Sequence, residues 1–216
     1  MKTAGIEDVQ ARFDRVAAEW DSNPGRVALA RGIAGAIRTA VPVSGDMKVL
    51  DFGAGTGLLT LGLLPHVGSI MAVDASGEML RVLAGKLTAL GIGNVHTLHC
   101  DIGKEPLPQA EYSLVVSSMV LHHIQDVAAT LVQLRRSLRP GGWIALADLD
   151  AEDGSFHPDP TGVFHKGFDR GQIRDWLEAA GFVWVSAREV YRMVKPAANG
   201  VVRDYPVFLV TGKVST

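Results

Sequence analysis

Residues 49–57 read Val49-Leu50-Asp51-Phe52-Gly53-Ala54-Gly55-Thr56-Gly57. From Met47 to Phe52 the chain is apolar apart from Lys48 and Asp51, as in a buried strand. Glycine then occupies every other position, and the apolar run Leu58-Leu59-Thr60-Leu61-Gly62-Leu63-Leu64 follows. Thr56 stands where a helix N-cap is expected. A strand, a tight glycine turn and a helix start form a ligand platform at the carboxyl edge of a sheet. Glycine allows positive φ and a close approach of ligand to backbone. Asp51 is the unusual residue, because a carboxylate on a buried strand needs donors. The N–H groups of the glycine turn are the expected ones. An acid there disfavours a pyrophosphate and favours a cationic or hydroxyl-bearing ligand.

Alternation of strand and helix extends outward from this stretch. Strands are expected at 47–52, 69–73, 95–100, 112–117 and 143–148. Helices are expected at 57–66, from Ser76 to Leu90, and from Val127 to Leu138. Near-continuous apolar strands separated by helices imply a parallel sheet covered on both faces. Upstream, Ile6, Val9, Phe13, Val16, Ala17 and Trp20 recur at helical spacing, and a second helix runs from Arg26 to Ala40 after the break at 21–25. These helices are either a packing layer on a sheet edge or a lid over the ligand site. Downstream, residues 149–168 lack periodicity, which marks a functional or mobile segment. A helix from Gly171 to Ala180, a strand from Phe182 to Val194, the Asn199-Gly200 turn and a strand at 207–211 close the chain, the two strands antiparallel.

With 216 residues, 47% apolar and 20% charged, the composition fits one soluble α/β domain. A net charge of -2 gives no electrostatic footprint for nucleic acid or an anionic membrane. Cys100 is the single cysteine, so an internal disulfide and a cysteine-based zinc site are excluded. There is no apolar signal region and no membrane-spanning run, so a cytoplasmic protein is expected.

Asp51, Asp74, Asp101 and Ser117 fall at the carboxyl ends of successive expected strands, the edge where open parallel sheets bind ligands. Asp74 lies 17 residues after Gly57, near the distance at which an acid takes a ribose diol. Asp101 is placed to accept from an exocyclic amine, with Ile102 and Met79 as apolar neighbours of a flat base.

With these motifs, the chain resembles the class I S-adenosylmethionine-dependent methyltransferases. The resemblance runs through Asp51 to Gly57, Asp74-Ala75-Ser76-Gly77-Glu78-Met79-Leu80, Cys100-Asp101-Ile102, the strand 112–117 with Leu121-His122-His123-Ile124, and Leu138-Arg139-Pro140-Gly141-Gly142. It implies a three-layer doubly wound α/β sheet of seven strands in the order 3-2-1-4-5-7-6, with strand 7 antiparallel and an N-terminal helical appendage. The single domain would divide into N-terminal helices (1–44), a cofactor-binding half (45–150) and a substrate-side segment (151–216). By position, Gly53, Ala54, Gly55 and Gly57 would hold the methionine part of S-adenosylmethionine, with Asp51 facing its amino group. Asp74 would take the ribose, Ala75, Met79 and Ile102 the adenine ring, and Asp101 its amine. Ser117, Ser118 and Met119 would lie near the methyl group.

The acceptor is expected to be a small molecule on a monomer or homodimer. Phe13, Trp20, Phe156 and Phe164 are candidate wall residues, under the expectation that residues 150–168 and the N-terminal helices enclose the acceptor. His122 and His123 follow strand 4 and are candidate general bases, against a purely structural role in that turn. No metal site is expected: His157 and His165, with Asp153 and Asp159, read as a solvated loop. Tyr191 and Lys195 carry a Tyr-x-x-x-Lys spacing that works on a helix face, but their surroundings alternate as a strand. A nicotinamide-dependent oxidoreductase and a non-catalytic S-adenosylmethionine-binding relative are the alternatives.

Overall fold

The computed structural model describes residues 6–101, 106–196 and 200–216. Ile102 and Asn199 lie outside the described residues. Seven strands form one sheet in the order β3-β2-β1-β4-β5-β7-β6. They are β1 (Lys48–Phe52), β2 (Ser69–Asp74), β3 (Val95–His99), β4 (Tyr112–Ser118), β5 (Leu138–Leu149), β6 (Phe182–Pro196) and β7 (Val202–Val214). β7 runs antiparallel to both β5 and β6, and the other pairs are parallel. The helices are α1 (Ile6–Val16), α2 (Pro24–Ala40), α3 (Leu58–Leu63), α4 (Gly77–Leu90), α5 (Val127–Ser137) and α6 (Arg170–Ala179).

The period of two in β1 sorts its side chains between two cores. Val49 joins Ile33 and Ile37 of α2, Leu63 of α3 and Leu83 of α4 on one face. Leu50 and Phe52 join Leu131 and Leu134 of α5 and Ile173 and Leu177 of α6 on the other. Asp51 alternates with Leu50 and Phe52, so it faces α3. Caps follow the chain's short polar residues. Ser76 Oγ accepts from Met79 N at the start of α4, and Asp126 and Asp169 cap α5 and α6 in the same way. Thr56 differs from expectation. α3 starts at a left-handed Gly57 with no side-chain cap, and Thr56 Oγ1 donates instead to Asp21 Oδ1 at 2.6 Å.

The terminal strands are longer than their apolar runs, because the β6–β7 ribbon pairs from Phe182 with Val214 out to Pro196 with Val202. α2 packs against β6 so closely that a Cβ on Gly32 would meet the Tyr191 ring at 2.6 Å. Tyr191 and Lys195 therefore lie on a strand, as their alternation indicates. Among the described residues, no helix is long and apolar enough to cross a membrane.

Candidate functional site

Backbone conformation and close neighbours explain why the turn after β1 carries three glycines. Gly53, Gly55 and Gly57 all have positive φ, at 70°, 56° and 81°. A Cβ on Gly53 would sit 2.3 Å from Val120 Cγ2, and one on Gly57 2.3 Å from Leu83 Cδ1. Gly55 opens onto a cavity, with only Met79 Sδ nearby at 4.0 Å. Contrary to expectation, the turn's N–H groups are not the donors to Asp51. Gly53 N and Ala54 N donate to Val73 O, and Gly55 N to Asp74 Oδ2 at 2.7 Å. Asp51 instead accepts from the Thr60 hydroxyl at 2.5 Å. The reason lies in the alternation that turns Asp51 toward α3. Burial, with the Asp74 carboxylate nearby, raises the Asp51 pKa to about 7 despite that hydrogen bond. Asp74 also accepts from Ser76 N at 2.8 Å, and its pKa too is raised by burial.

The cavity has a volume of about 910 Å³ and extends from these acids under a roof made of distant segments. α1 closes one side. Asp14 accepts from Ser76 Oγ at 2.5 Å and Glu78 N at 3.3 Å, where an acid also suits the positive end of α4. The 3₁₀ turn at Ala17–Ser22 anchors through Asp21, which pairs with Lys86 and Thr56. Residues 151–168 close the other side without regular structure, but their backbone is held. Glu152 accepts from Gly154 N and Phe156 N, Asp153 from Ser155 N, and Asp159 from Thr161 N. Asp153 and Asp159 are therefore turn builders. The two halves of the roof touch: Arg12 of α1 donates to Thr161 O at 2.9 Å and Asp159 O at 3.2 Å. Val9 lies against Gly162, where a Cβ would be 2.2 Å away. Arg12→Ala removes this latch, worth about 1 kcal/mol. Tryptic cleavage after Arg15 should then quicken by roughly fivefold, with thermal stability nearly unchanged. An unchanged cleavage rate would show that the contact does not hold α1 down.

A histidine cluster sits under the roof. His122 is buried, and its Nδ1–H donates to Asp148 Oδ1 at 2.6 Å. Asp148 is itself fully buried and also accepts from Leu149 N and His122 N. Burial alone would raise the Asp148 pKa. The adjoining His122 and the backbone N–H groups outweigh it and hold the carboxyl below its usual range. His123 Nδ1–H donates to Gly162 O at 2.6 Å, and Phe13 packs edge-on to its ring at 5.1 Å. The His157 ring lies tilted 4.9 Å from that of His122, and its buried Nε2 has no hydrogen-bond partner. Burial, reinforced by the neighbouring histidines, lowers the His123 pKa to about 4 and that of His157 to about 3.

Comparison with known proteins finds methyltransferases similar to this chain. Residues 49–142, from β1 to the first residues of β5, match the family described as a methyltransferase domain. An uncharacterized methyltransferase of Schizosaccharomyces pombe is 35% identical over 136 residues, which cover 56% of this chain and 48% of that protein. The domain match and the seven-stranded sheet together support a class I S-adenosylmethionine-dependent methyltransferase. A demethylmenaquinone methyltransferase of Clavibacter sepedonicus is 25% identical over 241 residues, covering 88% of this chain and 91% of that protein. An S-adenosylmethionine-dependent methyltransferase structure from Aquifex aeolicus superposes with a TM-score of 0.70 at 23% identity, covering 93% of this chain and 98% of that one, a likeness of fold. The chain spans about half the length of the 35% identical relatives it matches.

Within this methyltransferase fold, one cavity gathers residues from widely separated motifs. Asp51, Gly53, Ala54, Gly55, Asp74, Ala75 and Met79 line it from β1, β2 and α4. Asp101, Ser118 and Met119 line it from the ends of β3 and β4, and Phe13, Trp20, Phe156 and Phe164 from the roof. Gly57 and Ser117 do not reach it. Gly57 is covered by Leu83, and the Ser117 hydroxyl donates to Phe52 O at 2.7 Å within the sheet. His165 also stays apart, its Nε2–H donating to Ile124 O. Three contributors are not singled out by sequence. Asp148 lies near the carboxyl end of β5, so the strand-end rule that singled out Asp51 and Asp74 applies to it equally. Asp14 and Asp21 belong to helices whose polar faces carry no comparable signal. The third is the wall formed by Tyr191 to Lys195, whose ends the sequence marks only by their spacing and not as part of this site.

Proposed function

We propose that this protein transfers the methyl group of S-adenosylmethionine to a small-molecule acceptor. The carrying observation is that one cavity joins the strand-end acids to a roofed compartment of aromatic and histidine side chains. Its volume of about 910 Å³ lies near the top of the range for small-ligand sites, as suits a cofactor and an acceptor side by side. The roof, tied by Arg12 to residues 159 and 161, favours a compact acceptor over a macromolecule. A cytoplasmic location, for an enzyme acting alone or as a homodimer, accords with this reading.

The cradle suits S-adenosylmethionine. Gly55 leaves open space beside Met79, and Asp74 projects next to it with a carboxylate able to serve a cis-diol. Asp101 and Ala75 extend the same wall toward the adenine. Asp51 has one side-chain donor and a raised pKa, which fits a site that gains an ammonium group when the ligand arrives. Dinucleotide binding is disfavoured, because Gly53 N, Ala54 N, Gly55 N and Gly57 N all have protein partners.

The bound cofactor supplies an electrophilic methyl on a sulfonium, which an acceptor lone pair displaces in line. The protein's part is alignment, exclusion of water by the roof, and removal of a proton where the acceptor carries one. The His122–Asp148 pair suits proton removal, because Asp148 holds the proton on Nδ1 and leaves Nε2 to accept. Turnover with an acceptor panel tests the proposal, and cofactor binding with no methyl transfer to any acceptor would leave only a binding protein.

Asp51 adds a pH signature. In the free protein its carboxyl titrates at about 7, and a bound ammonium should lower that value. Between about pH 5 and pH 7, S-adenosylhomocysteine binding should therefore tighten with rising pH and release up to one proton. Calorimetry in buffers of different ionisation enthalpy reads this release directly. Asp51→Asn should abolish it. Proton uptake, or no exchange, would place the ammonium elsewhere.

A further inference from the structure

We propose that His122, His123 and His157 form a binding site for a divalent transition metal, with zinc as the reference ion, at the acceptor end of the cavity. One ring nitrogen from each of the three lies within 4.8 Å of those of the other two. Tetrahedral nitrogen ligands at about 2.0–2.1 Å from zinc sit roughly 3.4 Å apart, so a small contraction completes the set. The surroundings of the rings are those of metal ligands. A ligating histidine donates its other N–H to a carboxylate or carbonyl, which fixes its tautomer and orientation. His122 does so to Asp148, and His123 to Gly162 O. Both are left with Nε2 as the available nitrogen. His157 supplies a buried Nε2 that no protein group satisfies, an arrangement that calls for a partner. The three residues all line the cavity, so a fourth coordination position faces the space assigned to the acceptor.

Three neutral imidazoles with an open position are the ligand set of catalytic rather than structural zinc. Such an ion would take the heteroatom of a thiol or hydroxyl acceptor as its fourth ligand and release that group's proton to water. The resulting anion then attacks the methyl carbon, and the carbon–sulfur bonding pair returns to the cofactor's sulfur. This step rests on the methyl-transfer reading; metal binding itself does not.

The test uses the full chain, stripped with a chelator and titrated with Zn²⁺ by calorimetry and with Co²⁺ by visible absorption. One equivalent should bind, with intense Co²⁺ d–d bands typical of four-coordination and a rise in the thermal midpoint. His123→Ala and His157→Ala should each weaken affinity at least tenfold and reduce the bands. Asp148→Asn, acting through His122, should weaken it about 10- to 100-fold. His165→Ala, at a histidine outside the cluster, should change nothing. Circular dichroism checks that each variant is folded. Binding that survives in His157→Ala and His123→Ala would place the ion on other histidines and overturn the proposal, as would the absence of any saturable site. Loss of methyl transfer with Co²⁺ bands intact would instead count against the proposed activity alone.

Discussion

Asp74→Ala should weaken S-adenosylhomocysteine binding by on the order of a hundredfold. The carboxylate sits where two requirements meet. It accepts from Gly55 N at 2.7 Å and Ser76 N at 2.8 Å, so it fixes the glycine turn against the start of α4. It also lines the cavity at the place assigned to the ribose. Hydrogen bonds to a charged group contribute about 1.5–3 kcal/mol each, and a diol would supply two. Alanine removes these and loosens the turn as well, so a loss of about 3 kcal/mol in binding is a lower bound. Asp74→Asn should bind nearly as poorly. An amide has a single acceptor oxygen, and its NH₂ would face a backbone N–H that needs an acceptor. Calorimetry with S-adenosylhomocysteine reads the affinity, and circular dichroism checks the fold. A loss smaller than about threefold in the folded Asp74→Ala protein would move the ribose site elsewhere.

That prediction draws on the part of the site that local chemistry encodes. Asp51, Asp74 and Asp101 each fall near the carboxyl end of an expected strand, and a parallel sheet delivers such ends to one edge. The glycine turn needs positive φ, which the sequence displays as alternate glycines. The strand order followed from the resemblance, with the terminal antiparallel pair legible on its own. What was hidden depended on which way a side chain turns and on which distant segments meet. Asp51 faces α3 because of the strand's period, so its donor is Thr60, nine positions on, and not the adjacent turn. Ser117 turns into the sheet for the same reason. The histidine cluster joins His122 and His123 to His157 across a segment with no periodicity to place it. Its turns are set by Glu152, Asp153 and Asp159 closing on their own backbone, a local economy that looks like disorder when read as a string. The latch from Arg12 to Thr161 spans 149 positions and leaves no pattern at all.

The second large effect is on stability. Asp148→Ala should destabilise the protein by about 3–5 kcal/mol, because it strands a buried imidazole and two backbone N–H groups without their acceptor. For a chain of this size that is a fall in thermal midpoint of roughly 6–20 °C. Asp148→Asn keeps one acceptor oxygen for His122 Nδ1–H and should lose less. The pH dependence separates this electrostatic role from simple packing. The Asp148 carboxyl is held below its usual range in the folded protein, so the folded state binds its proton less readily than the unfolded chain. Its contribution is therefore complete above the unfolded carboxylate pKa and is lost as pH falls through the folded one. Guanidinium unfolding should thus show the full difference between wild type and Asp148→Asn at neutral pH and a shrinking one in acid. A constant difference across that range would mean that Asp148 acts only by filling space. In that case nothing would fix the proton on Nδ1 of His122, and neither a base nor a metal ligand at Nε2 would be held ready for the acceptor.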